Sequence, residues 1–441
     1  TQQPRFSWQI RSSERNFVQS SYEVLVADSP EMLEDNKGNV WSSGKKDSQE
    51  SILVPFTGKT LEAGTTYYWK VRIWDQEGNV SAWSPVNEFS MGLLSEQDWN
   101  KACWIALEKD KKDEIITTGV HGLGEVDRQF RPDQKIGMYA LPQFRKEFDV
   151  KKPLKRAIAY VSGLGHFDMF LNGEKVGNHF LDPGWTKYDR CALYVPFDIT
   201  QQLHTGKNAV GVVLGNGFFN VPRERYFKLI TSYGAPRLLM NIRLEYTDGS
   251  IESIVTDKSW KASESPITYS SIYGGEDYDA NREQPGWTKP GFNDKNWKEA
   301  LNTGWNTRLL AQTSAPLTVR DSIPTVRLFK NQKGKWVYDL GQNFSGVIHL
   351  SMQSNGKQQV KFYPAELLNP DSTVNQSASG APYWFAYTSK GNERVCWQPQ
   401  FTYYGFRYVE IEGAVPAGQD NPESLPVILD IKGLHTCNSA P

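Results

Sequence analysis

The sequence predicts an all-β chain built as several β-sandwich domains, and three observations carry that prediction. Asn-Gly and Asp-Gly pairs sit between runs that alternate apolar and polar residues. Helical signals are few and short. Glycine and proline are abundant, at 36 and 24 of 441 residues, which suits turns and argues against a long helical array. At about 150 residues per domain, the length predicts roughly three domains.

The turn signals come in order along the chain. Asn172-Gly173 separates residues 167–171 from 174–176, Asp248-Gly249 separates 240–246 from 251–255, and Asn355-Gly356 separates 348–352 from 360–362. A type I′ turn needs positive φ at both central residues, which these pairs tolerate, so each reads as a β-hairpin. In the second hairpin Ile242, Leu244 and Tyr246 are expected to face a core while Arg243 and Glu245 face water. Ser29 followed by Pro30 opens one or two helical turns through Leu33, and residues 198–203 form a similar short element. No window sustains a 3.6-residue period for long, which favours sandwiches over a barrel of βα units.

Composition also sets the boundaries. The first unit closes near Gly92, after Trp83-Ser-Pro85. Lys109 to Asp113 is a charged surface stretch. It leads into a segment with Gly119, Gly122, Gly124 and Pro132 that reads as an irregular inserted loop, because alternation resumes only at Phe144. A long sandwich follows to about Trp305, and residues 313–324 read as a connector. The last unit runs through Trp336 to Leu340 and Phe406 to Ile411. The expected domains are therefore residues 1–92, 93–310 and 311–441.

Lys plus Arg number 49 and Asp plus Glu 50, giving a net charge of -1. Such a chain has no field to hold a phosphate backbone or an anionic bilayer, which argues against nucleic-acid and membrane-surface partners. No apolar stretch approaches the ~18 residues of a membrane span. Cys103, Cys191, Cys396 and Cys437 lie too far apart for a zinc knuckle or redox pair and are too few for a disulfide scaffold. Alternation is already under way at Phe6, Trp8 and Ile10, the pattern of a processed or excised start.

Common catalytic signatures fail one by one. Gly58-Lys59-Thr60 resembles the tail of a phosphate loop, but Leu53 holds the first glycine position. The Gly-x-Gly pairs at Gly122, Gly163 and Gly215 are followed by Asp127, Asp168 and Asn220 where a dinucleotide fingerprint needs glycine. The histidines are scattered, and no Gly-x-Ser-x-Gly elbow occurs.

Two polar and aromatic features remain. Residues 274–281 read Gly-Gly-Glu-Asp-Tyr-Asp-Ala-Asn, and Glu276, Asp277 and Asp279 are hard oxygen donors suited to calcium. An EF-hand is excluded, since Arg282 holds its glycine position and Thr288 its terminal glutamate position. The stretch reads either as an irregular oxygen site or as a solvated turn whose aspartates bond their own backbone. Trp185, Phe218, Phe219 and residues 383–385 (Tyr-Trp-Phe) are candidate sugar platforms, because a pyranose has an apolar C–H face that stacks on an aromatic ring. In a sandwich this rich in tryptophan, any one of them reads as a core aromatic more often than as a platform.

With these motifs in place the sequence resembles the bacterial α-L-rhamnosidases of glycoside hydrolase family 78 along nearly its whole length. Pro4-Arg-Phe-Ser-Trp8, residues 67–75 (Tyr-Tyr-Trp-Lys-Val-Arg-Ile-Trp-Asp) and Ala82-Trp-Ser84 resemble that family's fibronectin-type-III-like first domain. Residues 171–177, 183–188, 206–208, 214–218 and 275–280 resemble its N-terminal jelly-roll domain. Residues 338–346, Ala365-Glu366 and 401–408 resemble a further β-sandwich.

The resemblance implies three β-sandwiches in series: fibronectin-III-like, jelly roll and a further sandwich. In the family an (α/α)6 catalytic barrel with the acidic pair follows the third. This chain stops at Pro441, about where that barrel is expected, so it reads as an accessory portion cut at both ends, with no catalytic residue of its own. The implied parent hydrolyses terminal α-L-rhamnose from plant polysaccharides or glycosides with inversion, in the periplasm or outside the cell. Its implied partners are a rhamnose-containing carbohydrate and its own barrel, and no cofactor is required. Some modules of this type bind L-rhamnose with calcium near the turn at Asn216, where relatives often carry aspartate, and a neutral amide is a poorer calcium ligand. The expected carbohydrate site is Trp185, Asn216, Phe218, Glu276, Tyr278 and Asp279 at one end of the middle sandwich, with Glu276, Asp277 and Asp279 the candidate calcium ligands. The alternative is a stand-alone carbohydrate-binding, lectin-like protein.

Overall fold

Side-chain alternation decides what each strand buries. Along Arg237–Tyr246 the side chains of Ile242, Leu244 and Tyr246 are buried, while Arg243 and Glu245 pair with each other at 3.0 Å on the outer side. The computed structural model describes residues 2–121, 131, 134–226 and 228–440. They form two compact units, Thr1–Trp99 and Asn100–Pro441. Among the described residues no helix is long and apolar enough to cross a membrane.

The first unit is a small β-domain. Its main sheet runs in the order Trp41–Ser42, Gln19–Ala27, Thr66–Asp75, Asn87–Ser90. Phe6, Val24, Val26, Phe56, Tyr67 and Val71 build its core. On the outer side the Arg72 guanidinium lies 5.1 Å from the Trp74 ring and 4.5 Å from Trp83, and donates to Glu23. The expected helix is present as Pro30–Glu34, led by Ser29 in extended conformation.

The second unit holds two large apolar cores. One lies between two sheets. The first sheet contains His166–Leu171, Gly206–Gly215 and Pro142–Val150, and the second contains Arg237–Tyr246, Leu154–Leu164 and Cys191–Asp198. Phe144, Phe167, Val212 and Leu214 meet Ala159, Val161, Met240 and Ile242 across the interior. The other core, with Leu340, Ile348, Phe362, Phe385, Phe406 and Ile431, packs on a twelve-stranded sheet built around the 18-residue strand Trp336–Gln353. Three strands from the middle of the sequence join this last sheet: His179–Phe180, Ile267–Ser271 and Gly275–Asp279. The last two form an antiparallel hairpin, and Gly275–Asp279 then pairs in parallel with Phe385–Thr388.

The three expected hairpins divide. Asn172 and Gly173 both have positive φ, 53° and 97°, and link His166–Leu171 to Glu174–Lys175 as a type I′ turn requires. At the second site only Gly249 is left-handed, at 81°. Its N–H donates to the Tyr246 carbonyl and the Tyr246 N–H to Ser250, so a three-residue bulged turn replaces the expected two-residue one. The third is not a hairpin. Tyr404–Glu412 inserts between Trp336–Gln353 and Gln359–Ala365 and bonds to both, while the Asn355 side chain ties the connecting loop to the carbonyls of Ser424 and Leu425. The segment read as an inserted loop starts instead as a strand, Ile116–His121, paired with Leu229–Ser232; Gly122, Gly124 and Pro132 lie outside the described residues.

Candidate functional site

The hairpin Ile267–Ser271/Gly275–Asp279 positions most of the polar residues singled out above, and the pleat sends them to different places. Glu276 and Tyr278 share one face, Asp277 and Asp279 the other. Residues 275–279 are therefore a strand with interior positions rather than an open oxygen cage, and only Asp279, at its end, bonds its own backbone as a solvated turn would. Glu276 has no solvent exposure and accepts the backbone N–H groups of Gln400 at 2.9 Å and Phe401 at 2.8 Å. Burial pushes its carboxyl up to about 8, helped by the negative charges of Asp168 and Asp277 and opposed by those two N–H bonds. Tyr278 stacks on Tyr387 at 5.6 Å and donates to Glu283 at 2.9 Å.

Asp277 faces a cation. Arg225 donates to both of its oxygens, one bond at 3.0 Å. The guanidinium is held between the rings of Trp384 at 3.7 Å and Tyr269 at 4.2 Å. Burial nevertheless raises the Asp277 carboxyl above its ordinary value, against the pull of Arg225. Asp279 accepts from the Asn281 backbone at 3.0 Å and from its side chain at 2.7 Å. Glu276 is thus turned away from Asp277 and Asp279, and each carboxylate is occupied by different protein donors. Among the described residues no group of three His, Cys, Asp or Glu is placed to hold a metal ion.

The aromatic candidates separate just as clearly. Phe219, Tyr383 and Phe385 are core residues with no exposure, and Trp384 is half-buried against Arg225. Trp185 is 61% exposed and lies on Phe218, with ring centroids 4.4 Å apart and planes within 6°. Phe218 meets Tyr273 edge-on at 5.7 Å, and Tyr273 stacks on Tyr226 at 4.7 Å. Asn216 sits below this run, buried, donating to the Ser270 carbonyl at 2.6 Å and accepting from Asn220 at 2.9 Å. It fastens the Phe218 loop to the hairpin.

Trp185, Phe218 and, beneath them, Asn216 therefore come together at the Tyr273 turn of the hairpin. Glu276 and Tyr278 point into the interior. Asp279 lies at the opposite end of its strand, four residues and about 13 Å from Gly275. Sequence reasoning missed Tyr273, Tyr226, Arg225 and His166. Tyr273 carries the same signal as Phe218, an aromatic beside a glycine turn, and could have been found that way. Arg225 and Tyr226 lie in a polar run with no such mark. His166 is fully buried edge-on to Phe218, and burial pulls its imidazole down to about 4, so it is neutral at physiological pH. Chemically, this arrangement offers an aromatic surface and shielded acids rather than an open acid pair.

A series of β-sandwiches whose exposed feature is a stacked aromatic pair defines the class as an all-β, multi-sandwich protein with a stacking surface. Comparison with known proteins makes it particular. Residues 1–95 match the Rha78A-like N-terminal immunoglobulin domain, 152–321 the α-L-rhamnosidase N-terminal domain, and 329–429 the bacterial α-L-rhamnosidase concanavalin-like domain. The chain is 35% identical over 429 residues to an α-L-rhamnosidase of Formosa agariphila, covering 94% of this chain and 44% of that protein. It superposes on the structure of α-L-rhamnosidase from Dictyoglumus thermophilum with a TM-score of 0.84 and 35% identity, over 99% of this chain and 47% of that one. The Streptomyces avermitilis α-L-rhamnosidase structure complexed with L-rhamnose gives a TM-score of 0.83 at 26% identity, over 100% of this chain and 56% of that one. The chain belongs to the bacterial α-L-rhamnosidase family, of which it carries the N-terminal β-domains. It spans about half the length of the relatives it matches.

Proposed function

We propose that the chain is the accessory, non-catalytic portion of an α-L-rhamnosidase that removes terminal α-L-rhamnose from plant polysaccharides or glycosides. Inverting hydrolysis needs one carboxylic acid and one carboxylate about 6.5–9.5 Å apart across an open sugar site. The observation that carries the proposal is the fate of the densest acidic stretch: Glu276 is sealed in the interior and Asp277 is locked to Arg225. Neither can reach a glycosidic oxygen. The acids of the reaction then belong to a helical catalytic module, for which these sandwiches act as scaffold. Calcium has no role in this proposal, because Glu276, Asp277 and Asp279 are already engaged by protein donors. A substrate of plant polysaccharides or glycosides supports a periplasmic or extracellular location for the whole protein.

The test compares the native protein with a version lacking residues 1–441, reading turnover of an aryl α-L-rhamnoside and the unfolding temperature of the remainder. Scaffolding predicts that both fall on deletion. A remainder with full turnover and an unchanged unfolding temperature would overturn it. A second reading, a stand-alone carbohydrate-binding protein, is favoured by the exposure of Trp185, and sugar binding by a native protein without hydrolase activity would select it.

A further inference from the structure

The long strand Trp336–Gln353 is interrupted in its first half. Its pairing with Tyr404–Glu412 runs from Val337 opposite Glu410 to Asp339 opposite Tyr408, and resumes at Phe344 opposite Phe406. Between those pairs the partner strand passes one residue, Arg407, and the long strand passes residues 340–343. Leu340 goes into the interior, while Gly341, Gln342 and Asn343 stand out in solvent. A bulge inside a sheet forgoes ladder bonds, and such bulges serve to re-aim side chains. This one is also fixed in place. The buried Asp339 carboxylate accepts the Gly341 N–H at 2.8 Å and two Arg407 bonds at 2.7 and 3.0 Å. Gly341 takes a φ of 83°, and a Cβ there would lie 3.1 Å from the Val326 side chain.

Strand registers place what flanks the bulge. Arg327, Asp339, Tyr408 and Ala365 stand opposite one another on four adjacent antiparallel strands. One step further along lie Val326, the bulge, Arg407 and Glu366, with Leu367 next. At about 4.8 Å per strand this row spans about 14 Å. Arg327–Lys330 starts here and Gln359–Ala365 ends here, so the row forms a rim of the sandwich. Val326 is 64% and Leu367 58% exposed, Glu366 is exposed and Arg407 half-buried.

The chemistry of the rim selects the partner. Two apolar side chains at the ends of a polar row do not supply the contiguous apolar core of a stable homodimer. The Arg407 guanidinium lies over the adjoining Tyr408 ring at 4.9 Å, so no flat apolar face is open to a sugar. Contacts between domains of one chain are more polar and fit this composition. The amides of Gln342 and Asn343 both donate and accept, Arg407 donates and Glu366 accepts. Those groups match the unpaired N–H and C=O groups at helix ends, with Glu366 suited to an N-terminus and Arg407 to a C-terminus. The chain spans about half the length of the relatives it matches, so those proteins hold about as much polypeptide again.

We propose that the rim formed by Val326, Gln342, Asn343, Arg407, Glu366 and Leu367 docks the helical catalytic module of the same polypeptide, with helix ends seated on its polar centre. The proposal rests on the reading of the chain as part of a rhamnosidase and names the surface through which it acts as scaffold. The test is amide hydrogen exchange, read by mass spectrometry in the native protein and in the 441-residue chain. Peptides over 325–328, 341–343 and 366–368 are expected to exchange about tenfold more slowly in the native protein. The loop 418–424, at the Gln353 end of the long strand, is expected to exchange equally in both. Val326→Asp combined with Leu367→Asp is expected to remove the protection and lower the unfolding temperature of the native protein. The same pair should leave the unfolding temperature of the 441-residue chain unchanged, because both side chains already face solvent. Equal exchange at the rim in the two proteins, or protection that survives the double variant, would overturn the proposal. A lower unfolding temperature of the 441-residue variant would also overturn it, by making the two side chains part of the sandwich itself. So would protection that appears in the 441-residue chain as its concentration rises, which would make the rim a contact between copies. Each of these failures leaves the rhamnosidase reading standing if the native protein turns over an aryl α-L-rhamnoside. A native protein without that turnover is the separate failure of the reading itself.

Discussion

Replacing Glu276 with glutamine should change how the second unit's stability depends on pH. The wild-type carboxyl is fully buried, with its value pushed from an ordinary 4.5 to about 8. Between those two values the folded state keeps a proton that the unfolded state releases. Stability therefore falls as pH rises from about 4.5 to about 8 and is independent of this group below that window. At about 1.4 kcal/mol per pH unit, the full displacement is worth at most about 5 kcal/mol. Glutamine removes the proton equilibrium but keeps one oxygen, which accepts from only one of the N–H groups of Gln400 and Phe401. Its amide faces the other donor, at a cost of about 1–3 kcal/mol. Glu276→Gln is thus destabilised by that amount at pH 5, and the gap closes or reverses by pH 9. Urea unfolding of both proteins at pH 5, 7 and 9 measures this. Equal destabilisation at pH 5 and pH 9 would show that Glu276 holds no extra proton in the folded chain.

Arg225→Ala should cost about 3–5 kcal/mol, since it strips the cation from the mostly buried Asp277 and empties the gap between Tyr269 and Trp384. A urea midpoint shift equivalent to less than about 1 kcal/mol would contradict the burial argued for that pair. Gly215→Ala places a methyl group against the Phe401 ring, and because Gly215 does not need positive φ the cost is steric alone, about 1–3 kcal/mol in thermal unfolding. Arg72→Ala should lower the stability of the first unit by about 1–2 kcal/mol, by removing the stack with Trp74 and Trp83 and the bond to Glu23, and leave amide exchange in the second unit unchanged.

Much of the fold was legible because alternation and turn chemistry are local. Ile242, Leu244 and Tyr246 went inward as their spacing required, and Asn172-Gly173 made the turn that its two positive φ values allow. Strand order was not legible. Nothing in residues 348–362 announces that Leu350–Gln353 will pair with Arg394–Trp397 while Lys361 and Phe362 pair with Glu412 and Ile411, since that choice is made by segments some forty residues away or more. The same limit shaped the candidate site. Glu276, Asp277 and Asp279 looked like one cluster because they are close in sequence, yet the pleat and three different partners, Phe401, Arg225 and Asn281, pulled them apart. Trp185 and Phe218 were found from their polar turns, whereas Tyr226 reached the same surface only through tertiary stacking on Tyr273.

Turnover of an aryl α-L-rhamnoside by the purified 441-residue chain tests the central claim most directly, because it asks whether these sandwiches carry an acid pair of their own. The account predicts release no faster than the buffer blank across pH 4 to 9, since Glu276 is closed to solvent and Asp277 is bound to Arg225. Release above that blank, abolished in Glu276→Gln while its unfolding curve stays cooperative, would contradict it.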